Sequence, residues 1–173
     1  MVENPDKLNV FCDSVALIYH ESRNVRHLLS KGLLNLEPWR FVVSLPTNRD
    51  HAWREIAPLR DKARQALSVD DALNVFKSRF HVSLIDLSEM FANENWRHAR
   101  HYGGNAWAGI TRLAVQLAEA LQSKDRDAVF ELATQLKGSQ HNTGSVQEKI
   151  TRLEKARGTE SPTSSETNDS DQE

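Results

Sequence analysis

Residues 4–32 read NPDKLNVFCDSVALIYHESRNVRHLLSKG, and this stretch decides the fold class. Asn4 can cap a helix, and Pro5 suits its first position, where no amide hydrogen is needed. Leu8, Phe11, Val15, Ile18, Val25 and Leu29 follow at alternating three- and four-residue spacing, broken only by Ser22. That spacing puts them on one helical face. Gly32, just past Ser30 and Lys31, reads as the stop. The pattern predicts a helix over 7–30, long enough to span a domain or to meet a partner.

Helical signals continue outward from it. Thr47 with Asp50 resembles a capping box, and Trp53, Ile56, Leu59, Ala63 and Leu67 follow on one face, with Pro58 expected to kink or divide that helix. Ser68 with Asp71 repeats the signal. Val69, Leu73, Phe76, Phe80, Leu84, Leu87 and Phe91 then predict one long helix over 69–92, bent near His81. A further helix carries Trp107, Ile110, Leu113, Leu117 and Leu121. A shorter one carries Val129, Leu132, Ala133 and Leu136 up to Gly138, and the last runs from about Ser145 to Arg157.

Residues 39–45 (WRFVVSL) differ, being aromatic and β-branched between Pro38 and Pro46. No second strand candidate exists to pair with them, so they read as an extended apolar segment laid across helices. The fold expected is all-α: an irregular bundle of about six helices in a single domain, residues 1–158. Residues 159–173 (TESPTSSETNDSDQE) hold five acids and no base. They read as a disordered acidic tail, too polar to bury a core.

Composition excludes several classes. Lys and Arg number 22 against 24 Asp and Glu, a formal charge of −2, so no gross basicity points to nucleic acid. Without the tail the body stands at a mild +3. A single cysteine, Cys12, rules out an internal disulfide framework and Cys-rich zinc modules. No apolar run approaches the roughly 18 residues of a membrane span, and the first residues lack a signal-peptide core. A cytoplasmic setting without membrane attachment is expected.

One polar and aromatic cluster stands out, residues 94–107 (ENWRHARHYGGNAW). Gly103 and Gly104 allow close backbone approach, Asn105 can cap the helix that follows, and Arg97 and Arg100 offer bidentate contacts to an anion. His98 and His101, three apart, share a helical face, but no spacing selects a third metal ligand among His20, His81, Asp86, Glu89 and His141. Two neighbouring arginines also oppose a cation, so no metal or other cofactor is expected. The plain alternative is a turn between two helices, with Trp96 and Trp107 in the core. Arg97, His98, Arg100, His101, Gly103, Gly104 and Asn105 are the candidate ligand-binding residues. His141, within His141-Asn142-Thr143-Gly144, reads first as turn chemistry.

No Gly-x-Ser-x-Gly elbow, His-Glu-x-x-His pair or Walker loop occurs, and Cys12 beside an apolar stripe reads as a small buried residue. The sequence therefore points first to a non-enzymatic interaction or adaptor module, self-associating or binding a protein partner through helix 7–30 or helix 69–92. A second reading is a small-ligand, anion-binding or enzymatic domain using Arg97–Asn105, with histidine as acid or base and arginines as clamps. A third, not favoured, is nucleic-acid binding through segment 39–64. There Arg40, Arg49, Arg54, Arg60, Lys62 and Arg64 accompany Trp39, Phe41 and Trp53.

Overall fold

The computed structural model describes residues 4–24, 26, 30, 32, 37–93, 114–138 and 146–160. Helix α1 spans Pro5–Glu21. Asn4 Oδ1 accepts from the amides of Asp6 and Lys7 at 3.0 and 3.2 Å, the cap its sequence implies. Every residue from Ser14 to Ser22 is buried. A helix covered on all sides is a core element, and α1 packs against four of the other helices. Of the stripe, Leu8, Phe11, Val15 and Ile18 are covered within one chain, while Val25 and Leu29 lie outside the described residues.

The expected helix 7–30 is interrupted: α1 stops at Glu21, and beyond the break Arg26 and Ser30 are again helical. Ser22 Oγ turns back to donate to the Ile18 carbonyl at 2.7 Å, and the chain tightens into a 3₁₀ turn over Ser22–Asn24. Gly32 adopts the left-handed backbone expected of a stop, with φ +71°.

Segment 39–45 is not extended. A 3₁₀ turn over Glu37–Trp39 leads into the single-turn helix α2, Arg40–Val43. With no strand to pair with among the described residues, the backbone satisfies itself locally. Phe41 and Val42 carbonyls accept from the Ser44 and Leu45 amides at 3.2 Å each.

Helix α3 spans Arg49–Ala63 and runs through the exposed Pro58 without dividing. Its cap is Asn48, whose Oδ1 accepts from Asp50 and His51 amides; Thr47 instead accepts from Arg26 Nη1 at 2.8 Å. Helix α4 spans Val69–Phe80, capped by Ser68 as expected. The expected helix 69–92 is broken after it. His81 lies in the left-handed region at φ 62°, and Ser83 Oγ caps a new helix α5, Leu84–Asn93, by accepting from the Asp86 amide at 3.0 Å. Helix α6 covers residues 114–122 and is tied to α5 by Ser88 Oγ donating to the Ala114 carbonyl. Helix α7 spans Arg126–Gly138, ending at the expected glycine.

Helix α8, Val146–Glu160, continues through Gly158 and takes residues 159 and 160 from the expected tail; residues 161–173 lie outside the described set. The fold is all-α, with eight α-helices and no strand among the described residues. None of these helices is long and apolar enough to cross a membrane.

Around α1, helices α3, α4, α7 and α8 close the core. Tyr19 stacks between Phe76 and Phe80 at 5.3 and 5.2 Å and meets Phe41 edge-on at 6.0 Å. Its hydroxyl donates to the Val82 carbonyl at 2.6 Å, so the core helix holds the α4–α5 joint in place.

Candidate binding cleft

The nominated residues Arg97, His98, Arg100, His101, Gly103, Gly104 and Asn105 lie outside the described residues, as does His141. Of the further metal-ligand candidates, His20 is fully buried, its ring nitrogens 2.9 Å from Glu21 Oε2 and from the Arg49 carbonyl. No group of three His, Cys, Asp or Glu side chains among the described residues is placed to hold a metal. Cys12 is buried as expected; burial first, then the neighbouring Asp13, pushes its thiol up to about 12, the reverse of what a nucleophile needs.

In the basic–aromatic segment 39–64 the two tryptophans are covered, and Phe41 shows only an edge, in a cleft beside His81. Trp39, Phe41 and Trp53 are all buried. Much of its charge is also spent internally. Arg60, 3% exposed at its side chain, reaches Asp13 at 3.3 Å and Asp61 at 3.0 Å and pairs with Glu154. Arg64 pairs with Asp13, and Arg157 meets Asp61 and Glu154 at 3.3 and 3.2 Å. Trp53 Nε1 donates to Glu154 at 3.0 Å, and the Arg60 guanidinium lies 5.4 Å from the Trp53 ring centre. Burial by itself would raise the Glu154 carboxyl, but hydrogen bonds from Arg60 and Trp53 hold it below the usual range. Asp13 goes the other way: burial raises it, only partly opposed by Arg64 and Arg60. This network locks α8 onto α1 and α3.

An open cleft of about 340 Å³ lies between the α2 turn and the α4–α5 joint. Its floor is apolar, made by Phe41, Phe80 and Val82; Arg40, Arg79, His81, Glu37 and Ser44 form the rim. Three local features build it. The α2 turn brings Phe41 inward and leaves Arg40 outward. The left-handed His81 reverses the chain, a conformation costing a non-glycine residue roughly 1 kcal/mol. The Tyr19–Val82 hydrogen bond then fixes the far wall. Arg40 Nη2 donates to both oxygens of Glu37 at 2.8 and 2.6 Å, but that pair is 70% and 73% exposed. Arg79 lies over the Phe80 ring at 5.3 Å and reaches Glu55 only at 3.9 Å, also half-exposed. Exposed pairs of this kind contribute about 0–1 kcal/mol, so an incoming carboxylate exchanges with them at little cost. The volume falls at the lower end of ligand sites and suits one side chain or a small molecule.

Sequence spacing gave no hint of this cleft, because Arg40 and Arg79 stand far apart in the chain. His81 was visible only as a bend and as one of several possible ligands. No protein-family model matches the sequence, and neither a curated protein nor a solved structure is similar to it.

Proposed function

We propose that this chain is a helical binding module that docks a protein partner by receiving an acidic residue and its apolar neighbour in the cleft beside His81. The observation that supports this reading is the pairing of an apolar floor, Phe41 and Phe80, with a rim carrying Arg40 and Arg79 in exchangeable ion pairs. An aromatic or aliphatic side chain covers the floor, while the adjoining carboxylate takes a charge-assisted contact from a guanidinium. No catalytic step is part of this reading; the module acts by presenting a surface. Its interface is the cleft and not the stripe of α1, whose Leu8, Phe11, Val15 and Ile18 are enclosed.

The test is an NMR titration of the full chain with a short peptide carrying Phe beside two Glu residues, against the same peptide with Gln in their place. Amide shifts confined to Ser44 and Phe80–Ser83, weaker for the Gln peptide and about tenfold weaker in Arg79→Glu, are expected. Equal shifts with both peptides, or shifts unchanged in Arg79→Glu, would defeat the proposal.

A further inference from the structure

His20 is fully enclosed near the end of α1, and both of its ring nitrogens meet oxygen. Nδ1 lies 2.9 Å from Glu21 Oε2, and Nε2 lies 2.9 Å from the Arg49 carbonyl in the first turn of α3. A peptide carbonyl only accepts, and so does an ionised carboxylate. A neutral imidazole has one N–H and one lone pair. Beside an ionised Glu21, either neutral tautomer therefore sets a lone pair against an oxygen, shut off from water. The doubly protonated ring donates at both places.

The other neighbours leave this count unchanged. Trp53 stands 5.8 Å from the ring and nearly perpendicular to it, and its N–H is held by Glu154. Among the described residues, Glu21 is the one carboxylate at ion-pair distance from the ring; helices α3, α4, α7 and α8 bring no other. Charge further out comes from Arg23 on the 3₁₀ turn, from Arg26, and from Arg49 and Asp50 on α3. Glu21 is itself only 6% exposed, so a cation directly against it offsets the cost of burying its charge. A protonated Glu21 beside a neutral ring would meet the same two contacts, but imidazole is the stronger base of the two groups.

We propose that His20 and Glu21 form a buried imidazolium–carboxylate clasp whose proton fastens the end of α1 to the first turn of α3. Both contacts depend on that one proton. Its loss as pH rises leaves a single N–H for two acceptors, so the ring releases either Glu21 or the Arg49 carbonyl. This proton-sensitive joint shares no residue with the cleft beside His81.

Two-bond proton–nitrogen correlation NMR of the isotopically labelled full chain tests the clasp, the His20 ring being identified by its contact with the Trp53 indole. At neutral pH both His20 ring nitrogens are expected to carry hydrogen. Raising the pH then removes one of these protons and shifts the Arg49–Trp53 amides in step. Glu21→Gln is the conservative control, because its side-chain amide can donate to Nδ1 and the ring then needs only the Nε2 proton. In that variant a singly protonated ring is expected, with the step at Arg49–Trp53 lost. A singly protonated His20 in the parent at neutral pH overturns the assignment, and so does a ring that stays doubly protonated in Glu21→Gln.

Discussion

The two ends of helix α3 handle arginine in opposite ways. Near its C-terminal end, Arg60 and Arg64 meet Asp13, Asp61 and Glu154 directly, and Arg157 closes the network from α8. Near its N-terminal end, Arg26 donates to neutral acceptors, the Thr47 hydroxyl and the Val42 and Leu45 carbonyls, while the half-buried Arg23 sits in the opposing fields of Glu21 and Asp50 and of Arg49 and Arg26. Helices α1 and α3 run antiparallel, so the same pair of elements supplies both ends. A satisfied cluster is structural: its charges are consumed in joining elements. At the other end Arg23 feels the Glu21 carboxylate more strongly than it feels Arg49 or Arg26, without a direct ion pair among the described residues.

Breaking the satisfied end has the largest effect. Arg60→Ala leaves Asp13 and Glu154 facing each other around a cavity and costs about 3 kcal/mol, read as a lower urea midpoint. A loss near zero would mean that the network is decoration. Next comes acid sensitivity. Glu154 titrates below its ordinary value, so its contribution is complete above that value and disappears as pH falls through the folded one. Glu154→Gln therefore lowers the urea midpoint at neutral pH and flattens its fall towards about pH 3. Asp13, raised by burial, works against that fall in both proteins, which leaves the difference between them to Glu154. The smallest effect sharpens the contrast at the other end. Arg23→Met removes a half-buried cation that has no direct ion pair among the described residues, and it leaves stability within about 1 kcal/mol of the parent or raises it. A loss matching that of Arg60→Ala would erase the distinction between the ends.

Local signals carried much of this fold. Asn4-Pro5 and Ser68 with Asp71 were legible because a cap is a contact over three residues. Ser83 with Asp86 is the same signature, yet Phe80, Leu84 and Leu87 keep helical spacing across the break and conceal it. The stripe on α1 suggested one covered face; Ala16, Leu17 and Tyr19 fill the others, and full enclosure depends on how many neighbours the fold supplies. Segment 39–45 misled through composition, since Val42 and Val43 favour strands only where a strand exists to pair with. The cleft was not legible as a site. Arg40 counted only towards a mildly basic segment, and it takes the tertiary fold to set Arg40 near Arg79.

Trp53 stands between the two ends of α3. One side of its indole meets His20 at 5.8 Å, nearly perpendicular, and His20 in turn touches the Arg49 carbonyl. Elsewhere the same ring faces Arg60, and its N–H is held by Glu154. The molecule thus carries its own optical gauge, a rigid chromophore with an imidazole at one side and a salt-bridge network at the other. A shift of either neighbour alters the asymmetric field around the ring, and near-ultraviolet circular dichroism reads that change without any label attached.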